Sequence, residues 1–178
     1  NCLNIPCKKK NNFTDNNIFA ILIINMTKEF EELKKIKHFL LNLIDDLTVD
    51  QLNVIPPGFN NNIIWNVAHL VAAQQGLCYV RANQKLVVDE NFYLAYKPGT
   101  QPGPYINSNE VASLKKLNLS VIYQLEEDYH NNIFLEYTPL STRYGVELNK
   151  IEEAIQFLLF HEGLHLGYIM AMKHSVKK

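Results

Sequence analysis

The sequence predicts an all-α fold, a four-helix bundle with long crossover connections. Three observations carry it. Four stretches repeat apolar residues at three- and four-residue steps, no stretch alternates long enough to make a strand of any length, and Pro/Gly-rich segments punctuate the interval between helices. With 178 residues, 47% of them hydrophobic, the chain is long enough for one full core and too short for two comfortable ones. One domain is therefore expected over residues 27–178.

Residues 1–26 read differently. An Asn-rich run, Asn11 to Asn17, precedes the apolar Ile18-Phe19-Ala20-Ile21-Leu22-Ile23-Ile24, and the first methionine is Met26. The run is too short to span a bilayer, and neither its flanks nor a small-residue cleavage site resemble a secretory signal. The expectation is a non-domain leader or a mis-assigned start, with the natural chain beginning at Met26; a tail docked as an added strand or helix is the alternative.

From Thr27 the helical pattern begins. Phe30, Leu33, Ile36, Phe39/Leu40, Leu43, Ile44 and Leu47 form one apolar face, and Lys28, Glu31, Glu32, Lys34, Lys35 and Lys37 form a solvated one. Thr48-Val49-Asp50-Gln51 and Pro56-Pro57-Gly58 end this helix. Asn60-Asn61-Asn62 supplies the cap of a second helix, running through Trp65, His69, Ala72 and Tyr79 to about Ala82. Residues 88–107, rich in Pro and Tyr, read as a loop that either walls a site or covers the bundle end. Ser108 or Asn109 caps a third helix through Leu114, Val121, Leu125 and Tyr129. Asn131 to Asn149 is a second irregular crossing, with an extended piece at Phe134 to Tyr137. Asn149, with Glu152 three residues on, gives a capping-box-like start to the fourth helix.

A formal charge of -1 and the lack of a basic cluster inside the domain leave no electrostatic footprint for nucleic acid, and no segment reads as a membrane span. Of three cysteines, Cys2 and Cys7 fall in the leader and Cys78 stands alone, so no disulfide framework is implied. That usage fits a reducing compartment, and a cytoplasmic location is expected. Cys78 itself reads as a small core residue rather than a nucleophile.

The chemistry concentrates in Phe160-His161-Glu162-Gly163-Leu164-His165. His161 and His165 are four apart, one turn above each other, inside the stripe of Ile151, Ala154, Ile155, Leu158, Tyr168, Ile169 and Met172, so their imidazoles can converge on one cation. His69 shares the core stripe of Trp65 and Ala72. A lone buried imidazole is ordinarily a hydrogen-bonded core residue; facing helices that offer one ligand and a pair are also how bundle cores hold metals.

Trp65-Asn66-Val67-Ala68-His69-Leu70 together with His161-x-x-x-His165-x-Gly167-x-Ile169 resembles the DinB-like superfamily of four-helix metal-binding proteins, some of which are enzymes using low-molecular-weight thiols such as bacillithiol or mycothiol. The resemblance covers Thr27 to about Lys173, and the leader has no counterpart in it. It implies a triad of His69, His161 and His165 binding a divalent ion, zinc or nickel, and a homodimer acting on a small-molecule substrate. Three neutral imidazoles leave a coordination position open, the pattern of a catalytic site. The expected function is a metal-dependent enzyme of thiol S-transferase or hydrolase type. Glu162 is the carboxylate placed to take a proton from a thiol or water; its plainer role is to support a ligand from behind or to sit exposed. Tyr96 and Tyr105 are expected in the pocket wall.

Two other classes compete. His161-Glu162-Gly163-Leu164-His165 matches the zincin pattern of a metallopeptidase, but little chain remains for a downstream third ligand, the longer metzincin pattern fails at Tyr168 and Ala171, and no sheet edge is available for a peptide. A non-catalytic dimeric binding or stress-response module would carry the same fold with a structural metal or none. Solvent access to the histidines separates these readings.

Overall fold

The computed structural model describes residues 15–177, with side chains from Met26. In chain order the elements are α1 (Asp15–Leu43), a short α2 (Val49–Asn53), α3 (Ile63–Gln74) continued by a π-helical turn (Gln75–Val80), a short α4 (Glu90–Tyr96), α5 (Ser108–His130), β1 (Leu140–Ser141), β2 (Glu147–Leu148) and α6 (Ile151–Val176). Among the described residues no helix is long and apolar enough to cross a membrane. The expected leader lies outside the described residues through Thr14; from Asp15 its backbone is already helical and continues unbroken past Thr27.

Two apolar clusters give the bundle its direction. Leu40 and Leu41 of α1, with Ile44 just past its end, meet Ile63 to Leu70 of α3, Val111 and Leu114 of α5, and Ile169 and Met172 of α6. The other cluster joins Met26, Phe30 and Leu33 of α1 to Cys78 and Tyr79 of the π turn, Ile122 and Leu125 of α5, and Ile151 to Leu158 of α6. The end of α1 thus lies beside the end of α6 and the starts of α3 and α5. Helices α1 and α6 run one way, α3 and α5 the other. Parallel neighbours need a connection that travels the length of the bundle, and residues 81–107 make that crossover between α3 and α5.

Between the clusters every long helix buries polar side chains: Lys37 on α1, Asn66, His69 and Gln74 on α3, Asn118 on α5 and Glu162 on α6. Gln74 donates to the Val121 carbonyl at 2.7 Å and Asn118 to the Val67 carbonyl at 3.2 Å. Lys37 Nζ lies 2.7 Å from Glu162 Oε1, with the two side chains 0% and 2% exposed. Lys37 was expected on the solvated face. It instead occupies the stripe of Phe30, Leu33, Leu40 and Ile44, one turn past Leu33, while Phe39 turns outward.

Local chemistry explains the other departures. The first helix stops at Leu43, and Thr48 and Gln51 form a reciprocal capping box that starts α2 where only a helix end was expected. Asp89 caps α4 by accepting from Asn91 and Phe92 backbone N–H groups, so residues 88–107 are not all loop. Helix α5 is capped by Asn107 rather than Ser108 or Asn109: its Oδ1 accepts from Asn109 and Glu110, and Glu110 returns the bond to the Asn107 N–H. Replacing Asn107 by Ala is expected to cost about 1 kcal/mol, read as a lower urea midpoint; an unchanged midpoint would show that water replaces the cap. Lys150, not Asn149, precedes α6 and makes no side-chain cap; the Asn149 N–H instead reaches Glu153 at 2.6 Å. Strand pairing falls at Leu140↔Leu148 and Ser141↔Glu147 rather than at Phe134 to Tyr137, in a hairpin turned by Gly145 at φ 75°.

Candidate metal centre

Helix α3 is wholly buried, because it is predominantly apolar and packs between α5 and α6. Asn62 starts it, accepting from the Trp65 N–H at 2.8 Å. One turn above Trp65, His69 is 5% exposed and stacks on the indole, ring centroids 4.7 Å apart and 9° from parallel. Its Nδ1 lies 2.7 Å from the Tyr96 carbonyl oxygen. A carbonyl only accepts, so Nδ1 carries the proton and Nε2 keeps its lone pair.

His165 is oriented the same way by a side chain. Asn66 donates its Nδ2 to the Asn62 carbonyl at 2.8 Å, which turns Oδ1 toward His165 Nδ1, also at 2.8 Å. Two of the three imidazoles are therefore held in one tautomer from behind, as metal-ligating histidines usually are. The rings of His161 and His165 lie 4.6 Å apart, His69 and His165 4.8 Å, and His69 and His161 5.4 Å. One nitrogen from each falls within 4.8 Å of the others. The three form a cluster that could hold a metal ion, the set the sequence pointed to.

The donor set fits a cation. Burial lowers the His69 pKa against the opposing pull of the Tyr96 carbonyl. Burial, and then the nearby His165, His69, Lys37 and Arg143, push His161 down to about 3; burial, then His69 and Arg143, push His165 down to about 4. All three are neutral at neutral pH, the form a metal requires. His161 Nδ1 is buried with no hydrogen-bond partner, an orphan of the kind a bound group resolves.

The same shifts make the metal-free fold acid-sensitive. Unfolded imidazoles take up a proton near pH ~6.5, whereas His161 and His165 stay neutral in the fold until about 3 and 4. Their contribution is present above the unfolded value and is lost as pH falls below it. Melting temperature of chelator-treated protein is expected to drop between about pH 6.5 and 3; a flat profile would mean the imidazoles are already charged or hydrated.

A cavity of about 1030 Å³ opens beside the triad, lined by His69, His161 and His165 and walled by Trp65, Tyr93, Tyr144 and Tyr168. The two irregular connections supply much of this wall. Tyr93 comes from α4, its hydroxyl 3.4 Å from where a Cβ on Gly76 would stand, and Tyr144 comes from the hairpin. Residues 88–107 are thus a wall as well as a crossover.

Three expectations for the site are not met. Tyr96 contributes its backbone carbonyl to His69, while its ring turns to Phe92 at 4.9 Å and to the core. Tyr105 is 59% exposed and donates its hydroxyl to Asp50 at 2.7 Å. Neither lines the cavity. Glu162, a step of 100° around α6 from His161, faces α1 and pairs with Lys37 instead of facing the cavity. Asn66, which orients His165, was not singled out by the sequence reading. It stood inside the Trp65 to His69 motif, three residues ahead of the histidine, and nothing in helical spacing ties it to His165, 99 residues away.

No curated protein matches the chain. A family model described as the DinB superfamily matches residues 32–169, a span that takes in the C-terminal part of α1, all of α3 and α5, and α6 through Ile169, with all three histidines inside it. Helical architecture and the motifs around His69 and His161/His165 agree with that match, and the chain belongs to the DinB superfamily.

Proposed function

We propose that this protein is a divalent-metal-dependent enzyme that joins a small thiol to an electrophilic small molecule, with His69, His161 and His165 as the metal ligands. The observation that carries the reading is the open cavity of about 1030 Å³ against the three imidazoles. A purely structural ion has no need of such a chamber, and closed structural zinc sites take four protein ligands.

A divalent ion held by neutral imidazoles supplies a Lewis acid that lowers the pKa of a thiol or of water. The chain's own residues favour the thiol. Among the described residues no Asp or Glu lines the cavity, so no carboxylate is at hand as the general base that hydrolysis ordinarily uses. A thiol, with an ordinary pKa of about 8.5, ionises without one. Asn66 and the Tyr96 carbonyl hold His165 and His69 in place, the stacked Trp65 keeps one side of His69 dry, and Tyr93, Tyr144 and Tyr168 offer apolar faces to an organic substrate.

The same placement of Glu162 weakens the peptidase reading, since a zincin needs that carboxylate beside the ion. The test is conjugation of low-molecular-weight thiols to a fluorogenic alkylating agent, with zinc- or nickel-loaded protein. The expected result is a rate above the uncatalysed background that disappears after chelation and in His69→Ala. Equal rates for loaded and chelated protein would sink the proposal and leave a non-catalytic module in its place.

A further inference from the structure

The cavity beside the triad carries positive charge that no neighbouring group balances. Of the 17 basic residues in the chain only Arg81 and Arg143 are arginines, and both line this one cavity. Among the described residues neither has a carboxylate partner. Arg81 Nη1 makes a long 3.5 Å contact with the Pro139 carbonyl, and the Arg143 guanidinium lies 5.0 Å above the Tyr144 ring. No acidic side chain shares the wall, so nothing offsets the two charges within it.

Both arginines are placed by the fold. Arg81 ends the π turn, and its carbonyl accepts from the Thr138 N–H at 2.7 Å, which ties that end of α3 to the crossing between α5 and α6. Arg143 sits at the tip of the hairpin, beside Gly145. Its charge reaches the triad, since it is one of the causes that keep His161 and His165 neutral. Asn60, Asn61, Ser141 and Thr142, each able to donate or accept, also line the wall. Trp65, also in the wall, has a buried indole N–H that finds no acceptor in the protein. A chain that otherwise uses lysine has put its two planar, forked cations where bidentate recognition of an oxyanion is possible.

We propose that Arg81 and Arg143 form an oxyanion-binding subsite of this cavity, and that the small molecule taken beside His69, His161 and His165 carries a carboxylate or phosphate group. The inference rests on the proposed function only in taking the cavity as the substrate chamber; its residues are different, so the two can fail separately. The arginines fix the anionic end of the ligand, and the reacting end lies toward the imidazoles.

The test is titration calorimetry at low salt with succinate and inorganic phosphate as probes, and with uncharged succinamide as control, on metal-loaded and chelator-treated protein. Binding of at least one anion is expected in both forms, weakened about tenfold or more in Arg143→Gln and further in Arg81→Gln/Arg143→Gln, with no binding of succinamide. Whichever probe binds more tightly assigns the group. Arg143 is exposed at the hairpin tip, so Arg143→Gln is expected to melt with the wild type and to report binding alone. Unchanged affinity in the arginine variants, binding that requires the ion and ignores the arginines, or no binding of either anion would each overturn the subsite. His165→Ala separates the two proposals: anion binding retained there after the metal is lost supports the arginine subsite on its own, and metal retained there sinks the triad while leaving the arginine result to stand or fall by its own variants.

Discussion

Replacing Glu162 by Gln is expected to lower the stability of the metal-free protein by about 3–5 kcal/mol, the cost of leaving one member of a buried ion pair without its partner. Lys37 and Glu162 are 0% and 2% exposed and meet at 2.7 Å, with apolar clusters on both sides. Glu162 Oε2 finds no further donor, and the orientation of the ammonium falls short of a full hydrogen bond. The pair is thus held by charge more than by geometry. Removing the carboxylate strands the ammonium in the middle of the bundle, and Lys37→Met strands the carboxylate. The double variant Lys37→Met/Glu162→Leu restores apolar packing and is expected to recover most of the loss. Urea unfolding of the two single variants and the double variant checks it. If the single variants unfold like wild type, the charges are hydrated and the buried layer is not dry. A second outcome matters for function: metal content in Glu162→Gln is expected to match that of wild type, because the carboxylate does not face the cavity.

Replacing His165 by Ala is expected to reduce bound metal from about one equivalent to little, in protein purified without chelator or metal-affinity resin. Losing His165 also leaves Asn66 Oδ1 without its partner. Where the ion binds only the folded chain, the wild type gains about 4 kcal/mol at a thousandfold excess of metal over Kd, and the variant gains none. Melting temperature with and without added zinc or nickel therefore separates the two proteins. Asn66→Ala, which leaves the three imidazoles in place, is expected to weaken metal affinity about 10–100-fold. Elemental analysis of wild type, His165→Ala and Asn66→Ala side by side checks both; equal metal in all three would return the histidines to the core.

The fold was legible because each long helix carries its apolar residues at helical steps, and the histidines were legible because they lie in those stripes rather than on the wet face. Lys37 escaped the same logic. A lysine in an apolar stripe reads as a solvated residue until a carboxylate is known to stand opposite, and Glu162 comes from the far end of the chain. Tyr96 was named for its ring, yet its backbone carbonyl is what orients His69, and no residue type announces the use of a carbonyl. Tyr93 and Tyr144 escaped because wall positions depend on how two irregular connections lie across the bundle, which periodicity does not encode. The caps at Thr48, Asp89 and Asn107 are local and were open to a closer reading of side-chain spacing.

The parallel pairing of α1 with α6 bears on the order in which the molecule forms. Helix α6 closes the ring after α1, α3 and α5 have been made, and its neighbours there are α1 and α3. Contacts between elements far apart in the sequence carry the largest loop-closure entropy and come late in folding. While α6 is still on the ribosome, His69 has neither of its companion imidazoles, and the inward faces of α1 and α3 lack the helix that packs between them. The three-histidine cluster comes into being only when α6 docks, so a growing chain has little to offer a stray ion until the fold around it is complete.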